Sequence, residues 1–423
     1  MEVYKFGGAS VKDAHSVKNA ASILSHASET SNYLVVISAM GKTTNHLEQV
    51  VDAYLSSSSS LPSLLKDLEE NHHSICKDLF PEKHPVFEKL NNLFAELQWN
   101  LEEQPEQDRD YVYDQVVSYG ELFSTLIFCE YLNHQGLPAI WIDARDFIKT
   151  DETYREGKVD WEETQKQVTT YFTNKQDRIW ITQGFIGSTS QNTTTTLGRE
   201  GSDYSAAIFA YCLGAEKVTI WKDVPGVLNA DPRYFSEAIV LPHLSYQDTI
   251  ELAYYGASVI HPKTLKPLQN KGIPFFVKSF THPDLPGTTI DDKADIMHQP
   301  CFILKKNQVL LSLFPRDFSF IVEDNLSEIY RLLSECRVKV NVMQNSALSL
   351  TICSDDSPSL FQQLIPTLSQ KYKTLYNRDL ELITIRYYNR ESIESINTRG
   401  EILLEQRSRH TFQAVIRAHA KNQ

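Results

Sequence analysis

No stretch of this 423-residue chain holds the ~18–20 consecutive apolar residues that a membrane-spanning helix needs, so no membrane span is expected. The opening residues Met1-Glu2-Val3-Tyr4-Lys5 lack the basic and then apolar layout of a secretory leader. Cysteine is sparse and scattered. Cys76, Cys129, Cys212, Cys301, Cys336 and Cys353 form no CxxC pair, which argues against a zinc or disulfide framework and for reduced thiols in a cytoplasmic protein. A basic excess is missing too: 41 Lys and Arg face 54 Asp and Glu, a formal net charge of −13. That disfavours a nucleic-acid surface, although a locally basic pocket for small anions can sit inside an acidic protein. A P-loop is also absent. Gly41-Lys42-Thr43 follows an apolar run, but Val36 stands where the first glycine of that motif belongs.

What is present first is a rhythm. Val3–Phe6 is a short apolar strand ending in Gly7-Gly8, and Leu34–Ile37 is a continuous apolar run of the kind expected of a strand buried on both faces. Between them Val17, Ala20, Ala21 and Leu24 mark one helical face. Ser56–Ser60 is a loop opening a polar, helix-rich insertion to about Glu106, in which His72-His73 is expected to face solvent. A long helix is expected over about 111–134. Strands at 139–142, 178–183, 217–223 and 273–279 follow, separated by helices near 161–174, 202–213 and 247–255. Strands alternating with helices imply an α/β fold with a mainly parallel, two-sided sheet. The Pro-, Gly- and Asp-rich segment 282–292 reads as a domain boundary. Beyond it, strands at 309–314, 338–343, 348–353, 380–387, 402–405 and 411–416 and helices at 324–336, 360–373 and 391–396 suggest two βαββ-type units. Each is too small to stand securely alone.

Several motifs could carry chemistry. Lys5-Phe6-Gly7-Gly8-Ala9-Ser10 puts a glycine pair where a strand meets a helix, a place for phosphate oxygens or simply a turn. Ser38, Thr43, Thr44 and Asn45 lie at the carboxyl end of the second strand, as ligand donors or as caps of the next helix. Glu121 sits among apolar residues and must either reach solvent or wait for a cation such as a substrate ammonium. Thr196-Leu197-Gly198-Arg199-Glu200-Gly201-Ser202-Asp203 sets an arginine fork between glycines before a helix capped by Ser202 or Asp203. A carboxylate would suit it; a surface hairpin with an ordinary cap is the plain alternative. Lys222, Asp223 and Arg233 could face one ligand or line a solvated turn, and His261 is expected to be structural.

In this order, Lys5-Phe6-Gly7-Gly8, Ser118-Tyr119-Gly120-Glu121, Ile181-Thr182-Gln183-Gly184-Phe185-Ile186-Gly187, Thr196-Leu197-Gly198-Arg199, Gly201-Ser202-Asp203-Tyr204, Asp223-Val224-Pro225-Gly226 and Gly256-Ala257 resemble the aspartokinases of the amino-acid kinase superfamily. The later part resembles, less closely, their tandem ACT regulatory domains. The resemblance implies an αβα-sandwich kinase domain over about 1–290, with the insertion at about 56–106. It implies a regulatory region over about 300–423, made of two ferredoxin-like α+β units. It implies phosphorylation of the L-aspartate side chain by ATP with Mg²⁺, the first step towards lysine, threonine and methionine.

Carried onto this sequence, Lys5 and Asp203 would be catalytic, with Lys5 on the ATP phosphates and Asp203 orienting it. Thr44, Glu121 and Arg199 would hold aspartate, Glu121 taking the ammonium and Arg199 the α-carboxylate, with Ser38, Gly201 and Ser202 around them. Phe6, Gly7, Gly8, Ser10, Lys222, Asp223, Leu228, Arg233, Ser258 and Val259 would serve the nucleotide, and Asn341, Asn345 and Ser346 a lysine or threonine effector. No dedicated protein ligands for a metal are expected, and the likeness implies a homodimer or higher oligomer. No GxGxxG follows, so no dehydrogenase domain is expected. The chain departs from the family pattern at Glu200, which replaces a glycine and brings negative charge towards the aspartate pocket. It departs again at Leu228, Ser258 and Ala347. The rival readings are another carboxylate kinase, such as a glutamate kinase, and a catalytically silent amino-acid sensor.

Overall fold

The computed structural model describes residues 1–27, 32–102, 108–173, 175, 179–257, 260–293 and 299–419. The chain divides into two compact units. The first comprises Met1–Val227, Val240–Ile250 and Val259–Asp295; the second comprises Leu228–Ile239, Glu251–Ser258 and Ile296–Gln423.

In the first unit the strands are β1 (Glu2–Phe6), β2 (Tyr33–Ile37), β3 (Ala139–Trp141), β4 (Ile179–Gln183), β5 (Ile186–Ser188), β6 (Thr194–Thr196), β7 (Val218–Lys222), β8 (His243–Ser245), β9 (Phe275–Ser279) and β10 (Thr288–Asp291). Eight of them form one sheet in the order β3-β4-β2-β1-β7-β9-β10-β8, while β5 and β6 make a separate hairpin. Only β9 and β10 pair antiparallel within the large sheet. Every residue of β1, β2 and β4 is buried, so apolar residues dominate them without alternation, and the buried polar side chains, Lys5 among them, need partners. The chain leaves β1 for β2 on one side and returns to β7 on the other. The strand order therefore reverses beside β1, and α/β sheets bind ligands at the carboxyl ends of strands flanking such a reversal.

Helix Ala14–Ala27 buries Val17, Ala20, Ala21 and Leu24, the face that the spacing marks. Helix Tyr119–His134 packs on β2, β3 and β4, and helix Gly201–Leu213 on β1, β2 and β7. The helix expected over 111–134 is two, Arg109–Val117 and Tyr119–His134, because Ser118 turns its hydroxyl back onto the Gln115 carbonyl at 3.0 Å. His72 is fully buried, not solvent-facing. Its helix, Leu61–Leu79, buries Leu68, His72, Ile75, Cys76 and Leu79, and the ring lies against Phe94 and Phe123. Burial lowers its pKa to about 4, so the ring is neutral. Segment 282–292 forms a hairpin within the first unit, in which Gly287 turns with φ +74° and β10 joins β9, and the second unit resumes soon after at Ile296.

In the second unit β11 (Cys301–Pro315), β12 (Val340–Asn345), β13 (Leu350–Asp355), β14 (Tyr372–Arg386), β15 (Gly400–Arg407) and β16 (Thr411–Ala418) form one antiparallel sheet in the order β12-β13-β11-β14-β16-β15. The two βαββ-type repeats thus share a sheet through the long β11–β14 ladder. The expected helix over 360–373 ends at Leu368, and β14 starts four residues later at Tyr372. Ile329, Leu333, Leu360, Leu364 and Leu368 cover one half of the sheet, and Ile396 packs on Ile383, Ile385 and Phe412 in the other.

Candidate active site

The end of β1 supplies Lys5, the end of β7 supplies Lys222, and the first turn of helix Gly201–Leu213 supplies Asp203. Lys5 Nζ stands 2.6 Å from one Asp203 oxygen and Lys222 Nζ 3.3 Å from the other. Asp203 is 3% exposed and Lys5 7%. Burial raises the cost of the Asp203 charge, yet the two ammonium groups hold its carboxyl below the usual carboxylate range. Two cations sharing one buried carboxylate leave a fixed positive excess at the strand ends, and both lysines are immobilised before any substrate arrives.

The glycine loop after β1 lies against the loop after β2. Phe6 O accepts from Ser38 N–H and Gly8 O from Gly41 N–H, both at 3.1 Å. A Cβ on Gly8 would fall 2.8 Å from the Ala39 carbonyl oxygen, so only glycine permits this approach. The Phe6 ring is core, stacked on Trp221, and the Ser10 hydroxyl donates to the Trp221 carbonyl. Gly7 lies beside the Lys5 ammonium, where a Cβ would be 3.5 Å from Nζ. None of Ser38, Thr43, Thr44 or Asn45 caps helix Thr43–Leu55, whose N-cap is Lys42 with no side-chain cap bond. Thr44 is half-buried on its first turn.

Glu121 does not reach solvent. It is 3% exposed on the first turn of its helix, and Oε1 accepts the Ala39 N–H at 3.1 Å. Oε2 is buried with no hydrogen-bond partner among the described residues. Burial pushes its pKa up to about 8, opposed by the Ala39 N–H and by the charge of Lys5. A buried acceptor without a donor is costly, and a ligand cation would remove that cost. Gly120 precedes it for a steric reason: a Cβ there would meet the Ala39 Cβ at 3.0 Å.

Arg199 is exposed in the turn between β6 and helix Gly201–Leu213, with no hydrogen-bond or ion-pair partner among the described residues. The helix is not capped by Ser202 or Asp203; the N-cap is Glu200, which sits in the left-handed region at φ +53°. Its carboxylate accepts the His261 N–H at 2.7 Å, so the departure from glycine is absorbed by a local tie to the next segment. Gly201 and Gly184 are sterically required, since Cβ atoms there would lie 2.6 Å from the Phe185 ring and 2.5 Å from the Ser202 Cβ. Glu200→Ala keeps the left-handed strain and loses the tie, whereas Glu200→Gly removes both. Each effect is worth about 1 kcal/mol. The expected order of melting temperature is wild type and Gly close together, with Ala lowest. An alanine variant as stable as the glycine one would contradict this reading.

The remaining expected residues are spread over both units, and two of them are not described. Leu228 and Arg233 fall in the second unit, where Arg233 grips Asp231 at 2.6 Å. Asp223 is exposed at the end of β7, and Ser258 and Val259 lie outside the described residues. Asn341 is engaged with Lys305, Gln308 and Asp355 at 2.8–2.9 Å, Asn345 ends edge strand β12, and Ser346 bonds Ser349. His261 caps helix Pro262–Lys271, in keeping with a structural role. No group of three or more His, Cys, Asp or Glu that could hold a metal occurs among the described residues. Sequence reasoning passed over Asp114, a fully buried carboxylate; its signal was an acid flanked by Val112, Tyr113, Val116 and Val117.

Residues 1–279 match the model of the amino acid kinase family, and the chain belongs to that family. Lysine-sensitive aspartokinase 3 of Escherichia coli is 31% identical over 394 residues, covering 90% of this chain and 86% of that protein. The crystal structure of E. coli aspartokinase III with lysine and aspartate superimposes with a TM-score of 0.82 at 28% identity, covering 98% of this chain and 96% of that one. Within the family the chain therefore stands among the aspartokinases. Bifunctional aspartokinase/homoserine dehydrogenase 1 of Arabidopsis thaliana is 35% identical over 302 residues, 69% of this chain. The chain spans only about a third of that relative, 33% of its length.

Proposed function

We propose that this chain transfers the γ-phosphoryl group of ATP to the side-chain carboxylate of L-aspartate, giving 4-phospho-L-aspartate. The observation that carries the reading is the pairing of Lys5 and Lys222 on buried Asp203, with the unpartnered oxygen of Glu121 close enough for Lys5 to influence its charge. A side-chain carboxylate with a pKa near ~4 is already ionised at neutral pH, so its attack on phosphorus needs no general base. The barrier is the meeting of two anions, which calls for fixed positive charge and positioning.

In this reading Lys5 and Lys222 face the phosphates, and Asp203 keeps both in place. The Gly7–Gly8 backbone approaches the nucleotide. Glu121 takes the substrate ammonium, Arg199 the α-carboxylate, and Thr44 a further oxygen. Mg²⁺ supplies added charge neutralisation, held by the nucleotide's own phosphates, because both Asp203 oxygens already face ammonium groups. We place the enzyme in the cytoplasm, at the head of lysine, threonine and methionine synthesis. A hydroxamate trap for acyl phosphate tests the reaction: product with aspartate supports it, product with glutamate instead points to a glutamate kinase, and none with either points to a sensor. Arg199→Ala is expected to raise the KM for aspartate while leaving that for ATP largely unchanged. Loss of ATP affinity instead would mean that Arg199 belongs to the nucleotide pocket.

Regulation is assigned to the second unit, with lysine the first effector to test because a lysine-sensitive relative matches along most of its length. Ile321 N–H bonds the Ala347 carbonyl, and Phe318, Phe320, Val322 and Leu348 are exposed on these adjoining segments near edge strand β12. Apolar surface beside an open edge favours a second copy of the chain as partner, hence a homodimer. A thermal-shift screen with lysine, threonine and methionine, read beside the oligomeric state in solution, tests both assignments.

A further inference from the structure

We propose that Asp114 is a positioning residue for the aspartate clamp, an inference that rests on the aspartokinase reading above. Helix Arg109–Val117 bears none of the clamp residues, yet it is attached to all three elements that do. It runs through Ser118 directly into the helix of Glu121. Tyr113 donates its hydroxyl to Glu48 at 2.9 Å, and Glu48 stands one turn after Thr44 on helix Thr43–Leu55. Asp114 accepts the Thr196 N–H at 2.8 Å, the Thr196 hydroxyl at 2.7 Å and the Arg155 N–H at 2.9 Å. Thr196 is three residues before Arg199.

Gln115 completes the attachment. Its amide donates to the Thr194 carbonyl at 2.8 Å and accepts the Thr194 N–H at 3.1 Å. The side chains of Asp114 and Gln115 thus serve as the missing neighbour for β6, whose other edge pairs with β5. Burial raises the pKa of Asp114 to about 6, opposed by these three donors, so it is an anion at neutral pH. Downstream, the Glu200–His261 bond holds the far side of the arginine turn. The backbone of Arg199 is therefore pinned at both ends while its guanidinium stays unengaged by the described residues. That is how a binding group is preorganised without being used up.

Steady-state kinetics with both substrates tests the assignment. Asp114→Ala is expected to raise the KM for aspartate about tenfold or more, since small misplacements of a binding group are costly. The KM for ATP should stay within about twofold. Asp114→Asn keeps an oxygen for the two N–H groups and a polar partner for the hydroxyl, so it should recover most of the aspartate KM. Thr196→Val should fall between them. Should the alanine variant not fold, the asparagine and valine variants carry the same comparison. Variants that only melt earlier, or that raise both KM values equally, would reduce Asp114 to a stability residue and overturn the proposal. Wild-type turnover in the same assay separates the two claims: its absence overturns the aspartokinase reading and this inference together, whereas an active wild type with unshifted variants overturns this inference alone.

Discussion

Lys5→Ala is expected to cut turnover by about 10²-fold or more, the usual loss when one charge partner of a transition state is removed. Lys5 is the tighter of the two partners of Asp203, 2.6 Å against 3.3 Å for Lys222, and only 7% exposed. Its loss removes positive charge at the strand end and leaves Asp203 buried with one partner. Some stability should go with it, so turnover is to be compared well below the melting temperature of the variant. Solvent cannot easily replace the ammonium, because the neighbouring Asp203 is 3% exposed. A folded variant with near-normal turnover would take Lys5 out of the mechanism.

The second large effect is on pH. Glu121 is pushed up to about 8 by burial, so below that pH the ligand-free site mostly holds its proton. An ammonium ligand needs the carboxylate, and aspartate binding must therefore release that proton. The sign follows: between about pH 6 and 8 the KM for aspartate should fall as pH rises, by up to about tenfold per unit for one coupled proton. The KM for ATP should move much less. Glu121→Gln should raise the KM for aspartate and flatten its dependence on pH. The same slope in the glutamine variant, or a flat wild-type profile, would mean that Glu121 does not receive the ammonium.

How much of this was legible beforehand depends on the range of the interactions. Strand β2 stands out because burial on both faces demands an unbroken apolar run, a purely local signature. Strands β11 and β14 are each 15 residues long but show only their apolar halves to a reader. Residues 301–308 and 374–379 fall outside the expected elements, yet the strands pair across most of them, Cys301–Lys305 with Leu382–Arg386 and Leu310–Phe314 with Lys373–Asn377, with the register shifting between Lys305 and Leu310. His72 was misplaced because a polar composition hid the one-turn spacing of Leu68, His72 and Cys76.

The candidate site shows the same division. Residue types at Lys5, Glu121, Arg199 and Asp203 were visible, but the approach of Lys5 to the Asp203 carboxylate that Lys222 shares is a contact across some two hundred residues. Glu121 had two open fates, and only packing against Ala39 decides between them. The Glu200 carboxylate takes the His261 N–H, a tie between segments 61 residues apart that no local pattern announces.

The central claim is that the aspartate side chain itself attacks phosphorus within a preset positive site. Aspartate labelled with ¹⁸O in its side-chain carboxylate, turned over with Mg-ATP and trapped by hydroxylamine, tests it most directly. Hydroxylamine attacks the acyl carbon and expels phosphate with the bridging oxygen, so the phosphate released should carry one labelled oxygen in step with hydroxamate formed. Unlabelled phosphate would mean that water, not aspartate, had taken the phosphoryl group, and the account would fail.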